Sequence, residues 1–119
     1  MTVAIRGATT VDENDKEMIY SATEEMMREL FDLNAVKIED VVSIVFTATS
    51  DLDKAYPAVA VRKMGITEAA LMCVQELYVK GSLRNCIRVM VTVEGDYKRD
   101  ALKHVYLRNA VGLRPDLKR

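Results

Sequence analysis

Cys86-Ile-Arg-Val-Met-Val-Thr-Val-Glu94 is the stretch whose reading decides the fold. Ile87, Val89, Val91 and Val93 lie on one side of an extended chain, and Arg88, Met90, Thr92 and Glu94 on the other. A strand with one wholly apolar face needs a hydrophobic layer against it, and a matching layer lies upstream. Met18, Ile19, Ala22, Met26, Leu30 and Leu33 recur at spacings of one, three or four, which predicts an apolar stripe on a helix from about 12 to 34. Thr10 is the expected N-cap, with Glu13 as its capping-box partner. Asp12, Glu13 and Asp15 put negative charge at the positive end of that helix. Asp12–Lys16 and Glu24–Arg28 are i,i+4 pairs for its wet side, and Asn34 is its expected stop. The Met18, Met26 and Met27 group reads as core or interface.

Further strands surround this pair. Val3 to Thr9 starts as a short strand, with Val3 and Ile5 on one face and Ala4 and Arg6 on the other. Val41 to Ala48 is β-branched and nearly continuous in apolarity, so it is expected to be covered on both faces. Pro57 and Gly65 bracket a short helix, Ala58 to Met64. Leu71 to Val79 is a third strand, Gly81-Ser82 a turn, and His104 to Leu107 a short fifth strand. Leu113-Arg-Pro-Asp-Leu117 is a turn-rich tail in which Pro115 opposes a helix. There is no repeat, low-complexity segment or linker. The pattern predicts one α/β (α+β) domain over 1–119. It is a mixed β-sheet with one long and one short helix packed outside.

Composition narrows the function. The chain has 119 residues, 50% of them hydrophobic and 29% charged, which suits a packed globule. Seventeen Lys and Arg oppose 18 Asp and Glu, so no basic excess favours a nucleic acid backbone or an anionic membrane. The longest uncharged run, Val41 to Ser50, falls short of the roughly 20 residues of a membrane span. The opening Met-Thr-Val-Ala-Ile-Arg lacks a secretory leader's pattern. Cys73 and Cys86 are too few for a disulfide framework and read as reduced thiols, which predicts a cytoplasmic protein. A single His and no closely spaced Cys pair argue against a zinc site, so no metal is expected. There is no phosphate-binding loop, no dinucleotide fingerprint and no Ser–His–Asp set. A chain of this size buries about 65% of its unfolded surface, so a deep pocket is hard to enclose and a ligand site between subunits is the expectation.

The unusual feature is arginine within strands. Arg88 sits between Ile87 and Val89, and Arg6 beside Ile5. Each alone reads as an edge residue or a stem reaching water. Together with Arg62 on the short helix and Arg114 in the tail, they read as a cationic pocket. Arginine suits planar carboxylates, so the expected ligand is a small anion. Glu76 reads either as a surface strand residue or as a hydrogen-bond partner for a ligand hydroxyl. Cys73 reads as packing, since His104 is its sole candidate base; Cys86 reads as core. Tyr106 is equally packing or a donor to a carboxylate.

These residues also carry a resemblance. Arg6-Gly-Ala-Thr-Thr10, Tyr56-Pro-Ala58 with Arg62, Cys73-Val-Gln-Glu76, Cys86-Ile-Arg-Val-Met90 and His104-Val-Tyr-Leu107 with Leu113-Arg-Pro-Asp-Leu117 occur in that order. Together they resemble the small monofunctional chorismate mutases of the trimeric pseudo-barrel class. The stretch 65–70 departs from the family in lacking an aromatic and a Pro, and the region of Val59 lacks a Lys that some members carry.

The resemblance implies a homotrimer with sites between subunits, and the rearrangement of chorismate to prephenate without cofactor, metal or covalent intermediate. By position it implies that Arg88 faces the ether oxygen, Arg6 grips a carboxylate and the ether region, and Tyr106 donates to a carboxylate. Glu76 and Cys73 would hydrogen-bond the ring hydroxyl. Tyr56, Ala58 and Arg62 would come from the neighbouring subunit, with Met72 and Val74 lining the wall and Leu113 and Arg114 in a closing tail. The rival reading is a non-catalytic trimeric small-anion-binding or regulatory protein on a similar fold.

Overall fold

In the computed structural model, which describes residues 1–113, five strands form one mixed sheet. They are β1 (Thr2–Thr10), β2 (Val41–Ala48), β3 (Ala70–Gln75), β4 (Cys86–Glu94) and β5 (Val105–Tyr106). Helix α1 (Lys16–Asn34) follows β1, and α2 (Ala58–Lys63) precedes β3. The spatial order is β3-β2-β4-β1-β5. β4 is central and antiparallel to both β1 and β2, while β3 and β5 add parallel edges.

The alternation in β4 sets the layers. Ile87, Val89, Val91 and Val93 are buried with Val3 and Ile5 of β1 and Ile44 and Phe46 of β2. α1 covers this face with Ile19, Ala22, Thr23, Met26, Met27, Leu30 and Phe31. Met18 and Leu33, expected in the stripe, are 39% and 38% exposed and lie at its margins. Thr23, Met27 and Phe31 take their place. The Thr23 hydroxyl is satisfied inside the helix by donating to the Ile19 carbonyl at 2.7 Å. Gly7 lets α1 approach β1. A Cβ there would stand 3.1 Å from Val89 Cγ1, 3.3 Å from Leu30 Cδ1 and 3.4 Å from Met26 Cγ.

The helix begins later than the capping-box reading placed it. Thr10 is still a strand residue, paired with Cys86, and Val11 extends the ladder by donating to the Asn85 carbonyl at 3.0 Å. The N-cap is Asp15, whose carboxylate accepts from the Met18 N–H at 3.0 Å. Asp12 therefore precedes the helix, and the Asp12–Lys16 pair does not form, whereas Arg28 Nε donates to Glu24 at 2.8 Å as expected. At the other end Ala35 adopts the left-handed conformation, with φ 50°. Asn34 ties the helix end to the segment that leads into β5, since its amide donates to the Leu30 and Lys103 carbonyls and accepts from the Lys103 N–H.

Two strand expectations are corrected. Within one chain β2 is covered on one face only: Val41, Ile44 and Phe46 are buried, while Val45 and Thr47 are half-buried and Val42 is exposed. A register shift between Val41 and Ser43 breaks the alternation that would have revealed this. The third strand stops at Gln75 rather than Val79, because β2, its ladder partner, ends at Ala48. Leu77, Tyr78 and Val79 lie beyond that end in an exposed turn. The fifth strand shortens to Val105–Tyr106, whose side chains are buried. Tyr106 packs with Ala8 and Ala110 in a small second cluster flanked by Leu83 and Leu113. The rest of the turn-rich tail, including Arg114, lies outside the described residues.

Candidate active site

The sheet face away from α1 carries the charged half of β4. Arg88 is directly opposite Ala8 of β1 on one side and Thr47 of β2 on the other. Arg6 is opposite Met90, two pairs further along and so on the same face, and Tyr106 sits beside Ala8. Pairing thus gathers Arg6, Arg88 and Tyr106 on one face although they are far apart in sequence. They line a shallow cleft of about 280 Å³ with Glu76, Val45 and Thr47.

Glu76 arrives there because β3 has ended. Its backbone N–H donates to the Ala48 carbonyl at 2.9 Å, which fixes where the side chain starts. Its carboxylate accepts from the Thr47 hydroxyl through Oε1 and lies 3.6 Å from Arg88 NH1 through Oε2. Arg88 is 40% exposed in its side chain, so the cation is held at one edge and open to the cleft. Arg6 is half-buried and has no carboxylate partner among the described residues; its backbone N–H donates to His104 Nδ1 at 3.0 Å. The Tyr106 hydroxyl is buried without a hydrogen-bond partner among the described residues. A buried hydroxyl left unpaired is costly, and Thr9 carries a second one among the described residues.

A second group forms at the β3 edge. Tyr56, Ala58, Arg62, Leu71, Met72 and Cys73 line a hollow of about 270 Å³. Val74 lies in an adjoining hollow with Cys73 and Tyr56. Cys73 pairs with Phe46 and packs against the α1-side core, whereas Glu76 reaches the opposite face. One chain therefore does not bring Cys73 and Glu76 together, as a side-chain period of two requires. Ala58 is buried, while Tyr56 and Met72 are 70% and 59% exposed. Leu113 belongs to the first group's surroundings, with Glu76 and Arg88 in a neighbouring hollow. Arg114 lies outside the described residues.

The sequence reading missed Thr47, Val45 and Met90 in the first cleft. The signal for Thr47 was its place in β2, but the apolar run gave no register against Arg88. Nearby, Asp51 fastens the loops that flank Glu76. Burial pushes its carboxyl up, but bonds from the Thr49 hydroxyl, the Asn85 N–H and Arg84 outweigh this and hold it below the ordinary value. Burial, with Glu76 and Asp51 adding to it, pushes the Cys86 thiol up to about 11 against the pull of Arg88. Cys86 is thus an inert core thiol. Among the described residues no His, Cys, Asp and Glu cluster could hold a metal ion, and no helix is long and apolar enough to cross a membrane.

Comparison with known proteins bears on this arrangement. Residues 2–117 match the family model described as chorismate mutase type I. The chain is 44% identical over 118 residues to "Chorismate mutase AroH" of Bacillus subtilis (strain 168), covering 98% of this chain and 93% of that protein. It is 42% identical over 118 residues to "Chorismate mutase AroH" of Thermus thermophilus, covering 98% and 97%. Among solved structures it is similar to a chorismate mutase from Clostridium thermocellum, with a TM-score of 0.89 and 48% identity over 91% of this chain and 96% of that one.

Proposed function

The chain belongs to the type I chorismate mutase family and is a chorismate mutase, and from that premise we propose how its residues perform the rearrangement. The substrate is a dianion whose enolpyruvyl side chain must fold over the ring before its ether C–O bond breaks and a C–C bond forms within the same molecule. No proton, electron or group is exchanged with the protein, so catalysis consists of selecting that conformer and stabilising the charge that develops.

Arg88 is the residue that stabilises the ether oxygen as negative charge grows on it. The observation that carries this reading is the cleft itself: Arg88 is restrained by Glu76 at 3.6 Å, with Arg6 and Tyr106 lining the same space. A cation held in place before reaction needs no reorganisation in the transition state. Arg6 and Tyr106 take a substrate carboxylate, and Glu76 accepts from the ring hydroxyl.

The complete site forms between neighbouring subunits of a homotrimer. The cleft of Arg6, Arg88 and Glu76 carries one net positive charge, and Arg62 of the second group and Arg114 of the tail would each add one, so the assembled site would be cationic toward a dianion. Arg62, Tyr56 and Ala58 of one subunit, with Cys73, Met72 and Val74, then close the cleft of the next. Leu113 and Arg114 would cover its mouth. This reading also explains why Cys73 and Glu76 serve one substrate from opposite faces of the sheet. Working without cofactor or metal is the companion reading, and so is the cytoplasm, a reducing compartment that the free thiols Cys73 and Cys86 fit.

The test is the loss of chorismate absorbance on wild type and Arg88→Ala. The variant is expected to lose roughly 10²–10³-fold or more in kcat, as when an oxyanion donor is removed. Near-normal turnover in a folded variant would overturn the role given to Arg88.

A further inference from the structure

We propose that Thr47 is a positioning residue for the reaction, acting through Glu76 to keep Arg88 directed at the substrate; the inference rests on the site described above. Thr47 and Arg88 are direct partners across β2 and β4, so their side chains rise side by side from one face. The Glu76 carboxylate is shared between them: Oε1 accepts from the Thr47 hydroxyl, and Oε2 lies 3.6 Å from Arg88 NH1. Thr47 is half-buried and β-branched, and a β-branched side chain on a strand has little χ1 freedom, so its hydroxyl is a fixed donor.

This sharing has a consequence for the cation. An arginine facing a free carboxylate prefers the bidentate fork, with two short parallel bonds. Here one carboxylate oxygen is already committed to Thr47, and the remaining contact to Arg88 is single and long. Glu76 therefore restrains Arg88 without consuming both of its outward N–H groups. Removing the hydroxyl frees the carboxylate to turn and chelate the guanidinium, which draws the cation off the ether oxygen. The loss falls on the chemical step, since misplacement of a reacting group is felt in the transition state.

Thr47→Val keeps the shape and removes the donor; Thr47→Ser keeps the donor and removes the methyl. Thr47→Val is expected to lower kcat by about 10- to 100-fold, the scale of a lost hydrogen bond to a charged group, with KM changed less than about threefold. Thr47→Ser is expected to stay within about threefold of wild type. In a Glu76→Gln background, Thr47→Val should cost less than about twofold more, because the group it positions is already gone. Should Thr47→Val fail to fold, Thr47→Ala against Thr47→Ser makes the same comparison. A purely packing role gives the reverse order, Val tolerated and Ser damaging, and overturns the proposal. So do losses that multiply in the double variant. Wild-type activity in Thr47→Val, with Arg88→Ala and Glu76→Gln both crippled, defeats this inference alone. Wild-type activity in those two variants defeats the site reading beneath it.

Discussion

Replacing Gly7 by Ala tests the packing that sets Arg6 in place. The added Cβ would meet Val89 Cγ1 at 3.1 Å, Leu30 Cδ1 at 3.3 Å and Met26 Cγ at 3.4 Å. None of these can yield easily. Val89 is held opposite Gly7 by the β1–β4 ladder, and Leu30 and Met26 are fully buried on α1. Overpacking of this kind costs about 1–3 kcal/mol. Against it, Ala restricts the unfolded chain and recovers about 0.4–1 kcal/mol. The expected net loss is about 1–2 kcal/mol, or roughly 3–10 °C in Tm for a chain of this size. The assay is thermal unfolding of both proteins at one concentration, since assembly makes Tm concentration-dependent. Leu30→Ala alone should cost about 2–5 kcal/mol. Combined with Gly7→Ala it should cost less than the two together by at least about 0.5 kcal/mol, because the shortened side chain makes room for the new methyl. A Gly7→Ala protein as stable as wild type, or strict additivity with Leu30→Ala, would refute the close-approach argument.

Two further expectations follow from the site. Arg62→Ala should raise KM more than it lowers kcat, because in the proposed site its charge would attract the dianion in ground and transition states alike; steady-state kinetics on chorismate decide this. Asp51→Asn should narrow its stability deficit on acidification. The folded carboxyl lies below its ordinary value, so its contribution is present above about pH 4 and is lost as pH falls through the folded pKa. Thermal unfolding of both proteins from pH 7 to pH 3 should show the gap closing, and a gap that widens would contradict the assignment.

What could be read from the sequence was what a single strand or helix expresses by itself. The period-two pattern of β4 separated a core face from a charged face, and Arg88 stood out only in company with Arg6, Arg62 and Arg114, since alone it read as an edge residue or a stem reaching water. The helix stripe was right at Ile19, Ala22, Met26 and Leu30. Its start was wrong because Thr10 and Asp15 both offer capping chemistry, and only the pairing of Thr10 with Cys86 chooses between them. β2 hid its open face because Val45 is apolar and the shift at Val41/Ser43 breaks its period. Thr47 was invisible for the same reason: its importance lies in the register against Arg88. The conflict between Cys73 and Glu76 was legible from spacing alone. Its resolution was not, because in the proposed site it depends on how separate chains would meet.

Mixing variants tests the shared site most directly. Arg88→Ala and Arg62→Ala chains, each impaired at chorismate well below the wild-type KM, are unfolded together in equal amounts and refolded. If each site draws Arg88 from one subunit and Arg62 from its neighbour, about one quarter of the sites in the mixture regain both arginines. Turnover should then rise to about a quarter of the wild-type level. Turnover no higher than the mean of the two variants, from a mixture that has reassembled, would contradict a site built between subunits.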